Sequence, residues 1–420
     1  MNPTNDPMAP SPSRSHPPTR SPSPHRRILL LDCDQFFVQC ARIADPEGAG
    51  REPLLLVGGS PERRGVVTSA SYETRKYGAR SGMPMARALR LCPQAKVVPV
   101  PRELCGIKSR EVRAVLARFS PVVEAASIDE AYLDMTGTEA LYDDAPLEEV
   151  ARRIQAAVRE ETGIAVSLGG GTNRLIAKLA SGLAKPAGVH VVPAGEEAAF
   201  MRRFTLRDLP GVGPALADTL QRLGLATVEH ALERDEAWMI RNLGERRGAW
   251  LYRRIRGIDS TPVEPYVEPK SMSREETFPE DIHDDDALET ELFALATRVG
   301  ADLRREGRRA RTVTVKLRDA DFRTRQASRT VPEPLESDRA ILAVARELLA
   351  RLRAERRTGA RLLGVSLSQF GGPTGGQLAL FEEEAESLET DRDRALSRTM
   401  DDLRARFGPD AVRSGRLLDR

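Results

Sequence analysis

Cysteine is scarce in this chain, and no arrangement of it suits a metal. Cys33, Cys40, Cys92 and Cys105 form no Cys-x-x-Cys pair and have no histidine cluster beside them. This argues against a zinc site and against a disulfide framework, and a reducing cytoplasm is the expected location. Long apolar runs are also missing. None approaches the ~20 residues that cross a bilayer, so no membrane segment is expected. A net charge of +2 favours no partner by itself, and no internal repeat is visible. The first 27 residues hold eight prolines and five serines but no apolar core of a secretory signal. Residues 1–25 are therefore expected to form a disordered tail.

What is present is ordinary globular composition. With 40% apolar and 30% charged residues, 420 residues are enough for two to four domains, each with its own core. Charge is unevenly spread. Arg298 to Val331 holds eleven Arg/Lys against four Asp/Glu, whereas Glu382 to Asp391 holds six acids and no base. The first stretch suits a polyanion-binding surface or a solvated helix face, the second a separate solvated appendage.

Hydrophobic periodicity divides the remainder. Residues 26–60 read strand–helix–strand, followed by a strand at Val66–Thr68, helical stretches near Ala86–Leu89, and a helix over about 106–119. Val122–Ala126 and Ala131–Met135 read as a hairpin, Leu147–Glu160 as a helix and Ile164–Leu168 as a strand. The sum is a β-α-β-β-α-β order. Residues 206–257 are helical throughout. The three prolines within 259–269 block both helix and ladder, giving an extended linker. Beyond it, 270–370 alternates strands (Thr312–Leu317, Leu362–Leu367) with two helices, and Asp284-Asp285-Asp286 supplies the N-cap of the first. Met400, Leu403 and Phe407 share one stripe of a short helix within 390–420.

Two acidic clusters stand at the ends of strand-like runs. Arg27–Leu31 leads into Asp32, and Val122–Ile128 leads into Asp129 and Glu130. Three carboxylates delivered to one spot repel one another unless cations lie between them. Oxygen-rich sites of this kind suit Mg²⁺, and a pair of such ions is the usual clamp for nucleotidyl transfer. Acidic pairs at strand ends are also common as turn features, so these residues alone do not decide the matter.

Four ordered motifs do more. Asp32-Cys33-Asp34-Gln35-Phe36-Phe37, Ser71-Tyr72-Glu73-Thr74-Arg75-Lys76-Tyr77-Gly78, Ser127-Ile128-Asp129-Glu130-Ala131-Tyr132-Leu133-Asp134 and Ala184-Lys185-Pro186-Ala187-Gly188 occur in that order. Together they resemble the Y-family translesion DNA polymerases, closest to the polymerase IV class, over about 26–370 and into the tail. The resemblance implies an α+β, right-hand, multidomain enzyme: a ferredoxin-like palm (26–50 and 106–186), small fingers (51–105) and a helix-hairpin-helix thumb (187–258). A linker (259–269), an α+β little finger (270–370) and a tail (371–420) complete it. The implied activity is DNA-directed DNA synthesis for damage bypass, without proofreading, by a cytoplasmic monomer.

The same resemblance assigns roles. Asp32, Asp129 and Glu130, with the Cys33 main-chain carbonyl, become ligands of two Mg²⁺ ions, and Asp34 is left a structural role. Phe37 matches the steric gate against ribose, with Phe36 beside it at the nucleotide. Tyr72, Arg75 and Lys185 match the triphosphate grip, chemistry suited to a flexible polyanion. Val66 and Thr68 form a small roof over the base pair. Gly211 and Gly213, in Leu209-Pro210-Gly211-Val212-Gly213, let backbone amides approach a phosphate. Arg274, Arg323, Arg325 and Arg329 are the duplex contacts expected in the little finger. Gln377-Leu378-Ala379-Leu380-Phe381 matches the pentapeptide that binds the bacterial sliding clamp. The partners implied are thus primer–template DNA, a dNTP and the clamp.

Departures are few. Where the family has an Asn-Lys pair, this chain has Gly169-Gly170-Gly171-Thr172-Asn173-Arg174, and Asn173 with Arg174 is expected to keep the primer-backbone contact. The glycine run lacks the Gly-Lys-Ser/Thr ending of a phosphate loop. Two other classes compete: a catalytically silent, clamp-tethered adaptor, which would have lost the acidic ligands, and a nucleotide cyclase, which has no use for a thumb, gate or clamp peptide.

Overall fold

The computed structural model describes residues 25–266, 268–371, 387–408, 411–412 and 415. Gln377–Phe381 lies outside the described residues. In chain order the elements begin with β1 (Ile28–Cys33), α1 (Phe36–Ala44), β2 (Leu55–Gly58), β3 (Val67–Ala70), α2 (Tyr72–Arg75), α3 (Met85–Leu91), β4 (Lys96–Val98) and α4 (Arg102–Leu116). There follow β5 (Val122–Ala125), β6 (Glu130–Asp134), α5 (Leu147–Thr162), β7 (Val166–Gly171), α6 (Arg174–Ala184), β8 (Val189–Val191), α7 (Glu197–Met201), α8 (Pro214–Arg222), α9 (Val228–Leu232), α10 (Glu236–Leu243) and α11 (Glu245–Arg254). The last are β9 (Ser271–Ile282), α12 (Asp285–Arg305), β10 (Arg309–Asp319), β11 (Thr324–Leu335), α13 (Asp338–Glu355), β12 (Ala360–Gly371) and α14 (Asp391–Phe407). None of these helices is long and apolar enough to cross a membrane.

Two compact units result. The first joins the chain up to Cys40 with Arg102–Pro265; the second joins Ala41–Pro101 with the chain from Tyr266 onward. In the first unit a five-stranded sheet has the order β5-β6-β1-β7-β8, with β1 antiparallel to both neighbours. This is the β-α-β-β-α-β topology, extended by β8. The apolar run of β1 makes it the central strand, and all six of its residues are buried. Helices α7 to α11 pack around Leu206, Leu220, Met239, Leu251 and Ile255 and share that core with Leu175, Ile176 and Leu179 of α6.

The glycine run belongs to β7. A Cβ on Gly169 would stand 2.1 Å from both Ala177 O and Ser181 N of α6, and one on Gly170 would stand 2.8 Å from Val191 Cγ2. The missing side chain of Gly169 lets α6 lie directly on the sheet, and the strand continues past Leu168, where the sequence pattern suggested that it stops. At the other boundary β5 ends at Ala125, and Asp129 sits in the hairpin between β5 and β6. Val66 also lies outside β3, bridging to Pro84.

The second unit carries a three-stranded sheet, β3-β2-β4, packed on α2 and α3 around Leu56, Val67, Met85 and Ala88. Its other sheet has the order β11-β10-β12-β9, and α12 and α13 cover one face through Leu292, Val299, Ile341, Val344 and Leu348. Asp284 caps α12 by accepting Ala287 N–H at 2.7 Å. The opposite face of this sheet is polar.

Candidate active site

Cross-strand register builds the acidic centre. On the antiparallel β1–β6 pair, Asp32 lies directly opposite Glu130, so both carboxylates leave the sheet on one face. Cys33 N–H donates to Asp129 O at 2.9 Å and thereby ties the hairpin to the end of β1. Strand alternation sends the Cys33 side chain to the other face, where it is buried. Burial, followed by the nearby charges of Asp129 and Asp32, pushes its thiol pKa well up.

Two lysines of the α6 segment reach the same carboxylates. Lys178 Nζ stands 2.5 Å from Glu130 Oε1 and 3.5 Å from Asp32 Oδ2, while Lys185 Nζ donates to Asp32 Oδ1 at 2.5 Å. Burial pulls the Lys178 pKa down. The hydrogen bond and charge of Glu130, with Asp32 behind, outweigh it and hold the ammonium above the ordinary lysine value. Lys178 was not identified from the sequence. The signal for it was one lysine amid Leu175, Ile176, Ala177, Leu179 and Ala180, all buried.

Asp129 turns toward Ser127, whose Oγ donates to Asp129 Oδ1 at 2.5 Å. With Asp32 and Glu130 drawn to lysines and Asp129 to serine, no three Asp, Glu, His or Cys side chains among the described residues are gathered as metal ligands. The donor chemistry nonetheless fits a hard cation: carboxylates on adjacent backbone positions, with a strand-end carbonyl beside them. Asp34 is different. It is buried and accepts Ser167 Oγ at 3.0 Å and Ala187 N at 2.7 Å, joining β1 to β7 and to the turn after α6.

Phe36 and Phe37 divide their roles. The Phe36 ring is 1% exposed and meets the half-buried Phe37 ring edge-on at 5.5 Å. Phe36 therefore packs beside Phe37, as expected, and braces it from the core. In the second unit, Ser71 caps α2, and the Arg75 guanidinium lies 4.9 Å over the Tyr72 ring. Val66 and Thr68 are both exposed, alternating with buried Val67 and Ser69.

Other expected nucleic-acid contacts are committed elsewhere. Asn173 is buried, caps α6 by accepting Ile176 N–H at 3.1 Å and donates to Gly257 O at 2.8 Å. Arg174 holds both oxygens of Glu124, donates to Pro262 O at 2.8 Å and lies 4.1 Å over the Tyr132 ring. It fastens the linker to the sheet and is not free for a primer. In the hairpin turn only Gly211 needs glycine: its φ is +96° and a Cβ would stand 2.8 Å from Trp250. Gly213 caps α8 with open space around it.

Register also redirects the arginines. Arg274, Arg325 and Arg329 lie opposite the core residues Val365, Leu317 and Val313, so their side chains leave toward the helices. There they pair with Asp302, Asp319 and Glu347. Arg323 remains exposed in the β10–β11 turn. The open face carries Thr312, Thr314, Lys316 and Arg318 opposite Thr330, Ser328, Gln326 and Thr324. It is rich in hydroxyls, a surface that sequence reasoning overlooked in favour of charge.

Residues 31–182 match the impB/mucB/samB family and 269–380 its C-terminal domain. A DNA polymerase IV of Dehalococcoides mccartyi is 36% identical over 395 residues, 93% of this chain and 97% of the relative. The DNA polymerase IV of Caulobacter vibrioides is 37% identical over 393 residues, 93% of this chain and 94% of the relative. This chain belongs to the Y-family translesion DNA polymerases. Among solved structures, a Y-family polymerase chimera of Dbh and Dpo4 superposes with a TM-score of 0.75 at 26% identity, covering 82% of this chain and 99% of the chimera. An insertion ternary complex of Dbh DNA polymerase gives 0.58 at 25% identity, covering 81% and 98%. Membership of the Y family, in the polymerase IV class, makes the chain a DNA-directed DNA polymerase that depends on divalent metal.

Proposed function

We propose that this enzyme adds dNTPs to a primer 3′-hydroxyl on damaged templates with low fidelity, without proofreading, and that the bacterial sliding clamp recruits it through Gln377–Phe381. The observation that carries the catalytic part is the direct pairing of Asp32 with Glu130 across β1 and β6. Asp32, Asp129, Glu130 and the Cys33 carbonyl would hold two Mg²⁺ ions, which when bound neutralise phosphate charge and lower the pKa of the attacking hydroxyl.

The chain's own side chains orient and select. Lys185, Arg75 and Tyr72 supply an ammonium, a guanidinium and a phenol to the triphosphate. Phe37, held rigid by Phe36, closes the space that a 2′-hydroxyl needs. Val66 and Thr68 are small and exposed, so the base pair meets a permissive surface and distorted bases are tolerated. Hydroxyls of the open little-finger face donate to duplex phosphates without reading sequence. That a relative forms an insertion ternary complex supports DNA and a dNTP as partners.

The deciding experiment is primer extension with Mg²⁺ on an undamaged template and then across defined lesions, with Asp129→Ala as control. Extension by the natural chain and its loss in the variant supports the reading. No extension by either leaves the silent adaptor.

A further inference from the structure

One row across the four-stranded sheet differs from the rows beside it. Register aligns Ser271, Ser368, Thr312 and Thr330 on the open face, and next to them Ser273, Ser366, Thr314 and Ser328, hydroxyls throughout. The following row reads Glu275, Gly364, Lys316 and Gln326, and the last Thr277, Leu362, Arg318 and Thr324. Among the residues of these rows Glu275 is the one acid.

Glu275 and Lys316 form an ion pair although β12 lies between their strands. Neighbouring strands stand about 4.8 Å apart, so β9 and β10 are separated by about 10 Å. The two side chains close that distance over Gly364. A Cβ there would stand 2.8 Å from Glu275 Cγ. The backbone of Gly364 is not left-handed, so this glycine serves no turn; what it provides is passage for the acid. The pair lines a recess of about 280 Å³ together with Ser273, Thr314, Gln326 and Ser366, all of them neutral. The Glu275 and Lys316 side chains are 36% and 29% exposed, so a polyanion can reach both. Glu275 also stands on an edge strand and can swing outward without crossing another.

We propose that Glu275 competes with duplex phosphate for Lys316 and thereby limits how firmly this sheet holds DNA. This rests on the reading, given above, that the open face meets the duplex. A carboxylate and a phosphate oxygen make the same demand of an ammonium, which is a point charge with three donors. The phosphate takes Lys316 only after Glu275 has left it, and the displaced acid then faces a second anion at close range. Both effects subtract from affinity and leave the hydroxyl contacts intact.

The test is the affinity of the full chain for primer–template DNA, by fluorescence anisotropy at one fixed salt concentration. Glu275→Gln should tighten binding about fivefold, which is what an ion pair of this exposure can withhold. Gly364→Ala lifts the Glu275 stem without altering charge, and should act in the same direction. In a Lys316→Ala background Glu275→Gln should lose most of its effect. Glu276→Gln removes the same charge from the helix side, where Glu276 pairs with Arg298 at 3.3 Å, and should leave affinity unchanged. Unchanged affinity in both Glu275→Gln and Gly364→Ala, with Lys316→Ala still weakening binding, overturns the competition but keeps the duplex face. An equal gain with and without Lys316 overturns it as well, since the acid then acts through net charge alone. No effect of Lys316→Ala on duplex affinity overturns the open-face reading together with the proposal.

Discussion

Lys178 stands 2.5 Å from Glu130 Oε1, a contact between a helix and the opening residue of a strand that Gly169 makes possible by letting α6 lie on β7. The ammonium sits between two carboxylates that would otherwise repel each other, and it competes with any cation that they bind.

Removing that ammonium should therefore separate stability from metal response. Lys178→Ala is expected to lower the melting temperature in EDTA by several degrees, equivalent to about 1–2 kcal/mol. Added Mg²⁺ should then raise the melting temperature more in the variant than in the natural chain. Equal Mg²⁺-induced shifts in scanning fluorimetry would show that the lysine does not compete. The lysine's contribution to stability is fully present below its ordinary value of about 10.4 and is lost as pH rises through the elevated folded value.

Gly169→Ala tests the scaffold beneath. The added methyl meets backbone of α6 at 2.1 Å, and backbone cannot rotate away as a side-chain tip can. A loss of about 1–3 kcal/mol is expected from such overpacking, more if α6 shifts bodily. Denaturant titration measures it. Because Lys178 and Lys185 ride on α6, dNTP affinity should fall in the same variant. A stable variant with normal KM contradicts the close packing.

Phe37→Ala should admit ribonucleotides while largely sparing deoxynucleotides. Relative kcat/KM for rNTP over dNTP is expected to rise on the order of a hundredfold. Phe36→Ala, by contrast, should cost about 3–5 kcal/mol of stability, since it empties a buried site. Unaltered sugar discrimination in Phe37→Ala would remove the gate.

The two faces of the little-finger sheet give opposite outcomes. Lys316→Ala, on the open face, should weaken duplex binding and reduce the slope of log K against log salt by about one. Arg325→Ala should leave that slope alone and instead lower stability by about 1–3 kcal/mol, because the fully buried Asp319 then keeps only Arg356 as its cation. If Arg325 changes the salt slope and Lys316 does not, the assignment of faces is wrong.

Asp32, Asp129 and Glu130 were legible because local sequence places acids at strand ends, and the fold class followed from the order of apolar runs. Side-chain direction was harder. Whether Arg274, Arg325 or Arg329 points to helices or to solvent depends on register, which a one-residue slip inverts. Arg174 looked like a surface cation because its partner Glu124 is 50 residues away. The glycines of β7 carry no side chains for periodicity to detect, and their value lies in what α6 needs. For α14, the stripe Met400-Leu403-Phe407 was legible, but the seat of the helix was not, since Asp401 pairs with Arg304 nearly a hundred residues earlier.

The inward thiol of Cys33 has a further consequence. Buried, and turned away from its neighbouring acids by the pleat, it does not offer sulfur to zinc, cadmium or copper at that centre. A centre with a cysteine in its sequence thus presents only hard oxygen donors, so thiophilic ions should inhibit no better here than on a variant with Cys33→Ser.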